Sequence, residues 1–210
     1  MTEKFFREHY WENEEFREKL EKFLVSFFDE GEECDGEEIE GPLGYWLHTT
    51  CGERFCTDSG VEKVCFYQPE WKYLYKIQVN TVGYDYDDFS SIWSLADEEG
   101  YGDLFCDVTD EGTFGNYYNA TRQERVEGEF VESGTIYNSL SNSMRDFIDE
   151  SGRTPWGCED VVGQASLIYG EDFAMKFADF LNEHGVGDIH HHNFMVVGGN
   201  AIRIFDASFS

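Results

Sequence analysis

Apolar positions near the start of the chain recur at helical spacing. Phe5, Phe6, Phe16, Leu20, Phe23, Leu24 and Phe27 are set among Glu and Lys, so residues 3–29 are expected to form one amphipathic helix. Residues 30–41, with three glycines and seven acids, read as a solvated linker. From residue 43 to residue 79 the texture changes to short β-branched and aromatic segments. Gly52, the Asp58-Ser59-Gly60 turn and Pro69 separate them, which predicts an antiparallel meander. Residues 86–99 carry Phe89, Ile92, Trp93 and Leu95 between acids and read as a helix ended by Gly100, with strand-like segments following at 103–109 and 115–126. Beyond Gly134 the pattern is helical over 137–149, 160–169 and 172–184, the last placing Phe173, Phe177, Phe180 and Leu181 on one face. Strands first and helices later predict an α+β chain of two lobes meeting near residues 127–134, and no internal repeat is visible.

Composition narrows the function classes. The 210 residues, 40% of them hydrophobic, suffice for a sizeable core, and the 17% aromatic content excludes a disordered acidic tail. Against 15 basic side chains stand 44 acidic ones, a net charge of -29 that repels phosphate backbones and anionic lipid heads. Direct nucleic-acid and membrane binding are therefore excluded as expectations, and basic or cationic partners are favoured. The charge is concentrated: residues 1–40 hold 15 acids and 5 bases, and residues 81–112 hold 10 acids and no base. Six cysteines form no C-x-x-C pair, the first residues contain no apolar leader, and no apolar run nears the ~20 residues that span a bilayer. These features predict a soluble cytoplasmic protein with reduced thiols.

The last 30 residues hold the candidate chemistry. After the helix ending at His184 the chain reads G-V-G-D-I-H-H-H-N-F-M-V-V-G-G-N-A-I-R-I-F-D-A-S. Residues 194–197, Gly198-Gly199-Asn200 and residues 201–205 predict a tight hairpin, which brings Asn193 and Asp206 to the same end. Two oxygen donors side by side suit Mg²⁺ with phosphate oxygens completing its shell. Asp188, on the loop entering the first strand, is placed to accept a proton from a nucleophile approaching that phosphate.

This segment resembles the catalytic loop and metal-binding strand of protein kinases and related small-molecule phosphotransferases, in which the loop Asp, the Asn and the metal-binding Asp have these separations. D-I-H-H-H-N looks more like the D-x-H-x-x-N loop of the phosphotransferases than the H-R-D loop of eukaryotic kinases. The ending I-F-D-A-S-F-S is similar to that of the small early serine/threonine protein kinases of short-tailed bacteriophages. The resemblance implies a minimal two-lobed kinase-like fold: an acidic helix and linker over 1–42, an N-lobe-like sheet with helix over 43–130, and a reduced C-lobe over 131–210. It also implies ATP and Mg²⁺ as cofactors. Asp188 would be the catalytic residue and Asn193 and Asp206 the metal ligands. Lys76, in L-Y-K-I-Q, would hold ATP phosphates. The helix acid that pairs with such a Lys has Asp88 as its candidate, and Asp87 or Glu98 could serve instead. Gly52, in L-H-T-T-C-G-E-R-F-C, stands alone where kinases carry a glycine-rich loop. The sequence stops four residues after Asp206, so the implied fold is truncated after the metal-binding strand, and a substrate platform is expected from residues 127–183 or the N-terminal helix.

Blander readings stand beside these. Asp188, Asn193 and Asp206 are residue types common in turns, and many strands carry a solvated Lys such as Lys76. His190, His191 and His192 are adjacent and point in different directions, so a loop with one buried, hydrogen-bonded histidine is expected rather than a zinc site. Two functions follow. One is a phage-type serine/threonine protein kinase that phosphorylates itself and basic host proteins in the host cytoplasm. The other is a catalytically degenerate kinase-fold protein that mimics DNA and inhibits a nucleic-acid-handling host enzyme.

Overall fold

The computed structural model describes residues 1–27, 36–60, 63–79, 89–114 and 118–209. The chain is α+β and divides into two compact units, Met1–Asp87 with Val108–Arg125, and Asp88–Asp107 with Val126–Ser210.

In the first unit, α1 (Glu3–Phe6), a π-helical turn (Arg7–Trp11), α2 (Glu14–Val25) and α3 (Gly36–Cys51) accompany a five-stranded antiparallel sheet. Its strands are β1 (Cys56–Ser59), β2 (Lys63–Tyr67), β3 (Tyr73–Val79), β4 (Val108–Phe114) and β5 (Tyr118–Glu124), in the order β1-β2-β3-β5-β4. The single helix expected over 3–29 is broken. Asn13 leaves helical geometry and its side chain caps α2 by accepting from the Phe16 amide at 3.2 Å. The break allows Phe6, Trp11 and Phe16 to enter one core with Phe66, Trp71, Tyr75, Ile77 and Ala120 of the sheet unit.

Residues 36–51 correct two further expectations, because they form α3 where the end of the linker and the start of the meander were expected. Pro42 lies inside this helix and has no N–H to return to residue 38. Burial of Ile39, Leu43, Leu47 and Cys51, spaced by four along one face, outweighs that loss. The meander begins only at β1.

The two faces of the sheet differ. Alternation places Tyr75, Ile77, Tyr118 and Ala120, all fully buried, on the face of the aromatic core. The opposite face is largely polar, with Lys76, Asn119, Thr121 and Gln123 buried: Lys76 pairs with Thr121, the half-buried Gln78 with Asn119 and the half-buried Leu74 with Gln123. At the edge, the ladder shifts register between Asp110 and Gly112, and Gly112 takes φ 84°. Glu111 at this bulge anchors the N-terminal elements. Its carboxylate accepts from the Arg7 guanidinium at 2.6 Å and the Trp11 indole at 3.0 Å, while its carbonyl accepts from Arg17 at 3.0 Å. Burial works against the charge on Arg7, but Glu111 and Tyr75 outweigh it and raise its pKa.

The second unit holds α4 (Phe89–Glu98), a 3-10 turn (Gly102–Leu104), α5 (Ser133–Ser139), α6 (Asn142–Asp149), α7 (Glu159–Tyr169) and α8 (Glu171–His184). The patterns read over 160–169 and 172–184 correspond to α7 and α8, but the single helix expected over 137–149 is split into α5 and α6, because Leu140 and Ser141 are extended and the Ser141 hydroxyl caps α6 by accepting from the Met144 amide at 3.1 Å; the strand expected from residue 103 begins only at Val108. Two small antiparallel ladders complete the unit: β6 (Val186–Gly187) with β9 (Ser208–Phe209), and β7 (Phe194–Val197) with β8 (Ala201–Ile204). Among the described residues, no helix is long and apolar enough to cross a membrane, and Cys51, Cys56, Cys65, Cys106 and Cys158 are unbridged.

Candidate functional site

The loop following α8 is built by helix termination and two ladders. Gly185 takes the left-handed conformation, φ 65°, and returns its amide to Leu181 and Asn182, which ends α8 and sends the chain into β6. Gly187 pairs with Ser208 in one ladder, and Phe194 pairs with Ile204 in the other. Residues 188–193 and 205–207 are therefore held opposite each other between two fixed registers, which brings the backbones carrying Asp188, Asn193 and Asp206 together.

The hairpin closes as its sequence implies. Gly198 and Gly199, at φ 58° and 73°, make the reversal between β7 and β8. Past the last ladder pair, the Phe205 amide donates to the Asn193 carbonyl at 3.0 Å. Asn193 and Asp206 thus lie at the same end.

Within the loop, the Asn193 side-chain amide donates to the Asp188 carbonyl at 2.6 Å, and its main-chain amide donates to His190 at 2.8 Å. That use of the nitrogen leaves the amide oxygen of Asn193, the atom suited to a hard cation, outside the bond. Ile189 is fully buried and pins the loop to the core. Asp188 keeps 38% of its side-chain surface exposed, so its carboxylate reaches solvent from a rigid loop.

Asp188 is the one non-glycine residue at positive φ, 58°, among the described residues. Its conformation is held from outside the loop: its amide donates to the Trp156 carbonyl at 3.0 Å, and Gly157 lies so close that a Cβ there would sit 3.1 Å from the Asp188 Cα. No residue-type signal marks this clamp, because the bond joins residues 32 positions apart through main-chain atoms. The only local trace is the turn residue Gly157.

The histidines divide the labour of holding the loop. The Asp160 carboxylate, in the first turn of α7, accepts from the His191 amide at 3.3 Å and lies 3.0 Å from Nδ1 of the same ring. His191 is the hydrogen-bonded, partly buried histidine. The His192 amide donates to His190 Nδ1 at 3.2 Å, which puts the ring proton of neutral His190 on Nε2, and this nitrogen stands 3.8 Å from Asp188 Oδ1. No group of three or more His, Cys, Asp or Glu among the described residues could hold a metal ion. Beside the loop, burial pushes the Cys158 thiol up to about 12, with Glu159 and Asp188 adding to the effect. It is therefore no thiolate nucleophile at neutral pH.

The remaining sequence-derived candidates lie elsewhere. Lys76 sits at the middle of β3 rather than at its end, 9% exposed, in register with Cys65 on one side and Thr121 on the other. On the same face, Thr121 Oγ1 and Gln78 Oε1 are buried without a hydrogen-bond partner. Gly52, at φ 75°, returns its amide to His48 at 2.9 Å and so caps α3; the residues before it are helical. Asp87 and Asp88 lie outside the described residues, and Glu98 is the last residue of α4.

Two oxygen-bearing side chains at one hairpin end, with the Asp188 carboxylate on the adjoining loop, are residue types suited to phosphate chemistry. No protein-family model matches the sequence, and no curated protein matches it.

Proposed function

We propose that this protein is an ATP-dependent phosphotransferase of the protein-kinase-like superfamily, acting on serine or threonine hydroxyls of basic proteins and of itself. The observation that carries the reading is the convergence of residues 188–193 and 205–207 between two ladders, with Asn193 tied to the Asp188 carbonyl at 2.6 Å. Turn residues matching by chance would need no such closure. The resemblance to the early kinases of short-tailed bacteriophages makes host proteins the expected targets.

In this reading Asp188 orients the acceptor hydroxyl and takes its proton, with its φ of 58° fixed by Trp156 and Gly157 rather than by the loop alone. Asn193 Oδ1 and an Asp206 carboxylate oxygen would hold Mg²⁺, which when bound neutralises phosphate charge. Lys76 would engage phosphate oxygens, and His190 keeps a ring N–H facing Asp188. Glu98, Asp87 and Asp88 remain the candidate acids for Lys76. Purified protein given γ-labelled ATP and Mg²⁺ should label itself on Ser or Thr; absence of both nucleotide binding and transfer at millimolar ATP would overturn the reading.

One observation favours a second reading. Gly52 caps a helix instead of forming a phosphate-covering loop, as a kinase-fold protein without chemistry would allow. With a net charge of -29, such a protein would occupy the basic groove of a nucleic-acid-handling enzyme. It would then compete with duplex DNA for that enzyme and lose affinity steeply with salt.

A further inference from the structure

Trp156 is the most exposed large apolar side chain among the described residues, at 74%. Its exposure is built in. The Cys158 amide donates to the Pro155 carbonyl at 3.1 Å and Gly157 has φ 73°, so residues 155–158 form a type II turn with Trp156 at its first corner. Both ends of the turn, Pro155 and Cys158, are buried, which drives the indole outward.

The turn is also tied on several sides. Asn182 of α8 donates its side-chain amide to the Arg153 carbonyl at 2.9 Å, and the Trp156 carbonyl holds the Asp188 amide at 3.0 Å. A large aromatic surface is therefore presented rigidly, one main-chain hydrogen bond from the candidate catalytic loop. The charge of this segment is negative in balance: exposed Glu159 follows two residues after the turn's glycine, Asp188 is 38% exposed, the exposed Arg153 is paired with Glu150 at 3.5 Å, and residues 126–210 hold 14 acidic and 4 basic side chains. An exposed indole in an acidic segment is a site for a cationic side chain, most favourably a guanidinium.

We infer that Trp156 is the substrate-docking residue of this protein, stacking on an arginine of a basic peptide segment and so placing the neighbouring serine or threonine at Asp188. The docking half of this inference stands on the turn and its charge; the placement of the hydroxyl rests on the phosphotransferase reading above. Trp156→Ala keeps the main-chain carbonyl that holds Asp188, so it removes the platform without removing the clamp.

The test uses the full chain and a fluorescently labelled peptide with a central serine flanked by arginines, alongside the same peptide with the arginines replaced by glutamines. Anisotropy should show the wild type binding the arginine peptide, Trp156→Ala binding it about tenfold more weakly, and Trp156→Phe recovering most of the loss. In transfer assays Trp156→Ala should raise KM for the arginine peptide by a similar factor, and should do so more than it raises KM for the glutamine peptide. No wild-type binding at millimolar peptide, equal affinity for the two peptides, or equal affinity of wild type and Trp156→Ala would each overturn the inference. Binding with the expected ranking but no transfer by any variant would uphold the docking site and remove the phosphotransferase reading instead.

Discussion

Phe6→Ala probes how the acidic N-terminal segment is used. Phe6 is fully buried, and its ring centroid lies between 5.1 and 6.2 Å from those of Tyr10, Trp11, Phe16, Phe55, Phe66, Trp71 and Tyr75. Truncating a phenylalanine in such a core typically costs about 3–5 kcal/mol, combining lost transfer energy with the cavity left behind. The walls here are other rings on helices and strands, which collapse poorly, so the upper part of that range is expected. With a urea slope of roughly 2 kcal/mol per molar, the midpoint should fall by about 2 M. Trp11 and Trp71, 1% and 2% exposed, report the first unit directly through their fluorescence. A loss below about 1 kcal/mol would show that the N-terminal segment is not part of the sheet's core.

Two other perturbations address the site and its surroundings. Burial pushes the Cys51 and Cys158 thiols up to about 12, so at pH 8 both should resist alkylation in the native protein while the part-exposed Cys56 and Cys65 react before them; peptide mapping reads the order. The same shifts reduce stability as pH rises past the ordinary thiol value of 9.0, because the unfolded thiols ionise while the folded ones stay protonated. Gly157→Ala forces a Cβ to 3.1 Å from the Asp188 Cα at φ 73°, and should cost about 1–2 kcal/mol for the backbone alone. It should also lower kcat more than it raises the KM for ATP, read by steady-state kinetics.

How much of this was legible depends on where each signal sits. The hairpin of β7 and β8 could be read because two glycines mark the reversal and the apolar runs on both sides are short. Helices α7 and α8 could be read from their periodic faces, whereas the split of the 137–149 pattern into α5 and α6 is a capping event at Ser141. Helix α3 could not, because Gly41, Pro42 and Gly44 are local breakers, and only the tertiary burial of Ile39, Leu43 and Leu47 overrides them. The break at Asn13 is a capping event inside an otherwise continuous pattern. At the candidate site, Asp188, Asn193 and Asp206 are proposed from residue type and spacing, whereas the Trp156 carbonyl and the bare Gly157 Cα act through the main chain. Asp160, which holds His191, is an ordinary first-turn acid until the fold brings it there.

The central claim is that Asn193 and Asp206 form the metal-holding end of a phosphotransfer site served by Asp188. The direct measurement is transfer of label from γ-labelled ATP with Mg²⁺ by wild type, Asp206→Ala and Asp188→Asn, with nucleotide binding followed in parallel by calorimetry. Mg²⁺-dependent labelling by the wild type is expected, with its abolition in Asp206→Ala, and in Asp188→Asn a strong loss of turnover with nucleotide affinity largely kept. Equal labelling by wild type and Asp206→Ala would contradict the claim.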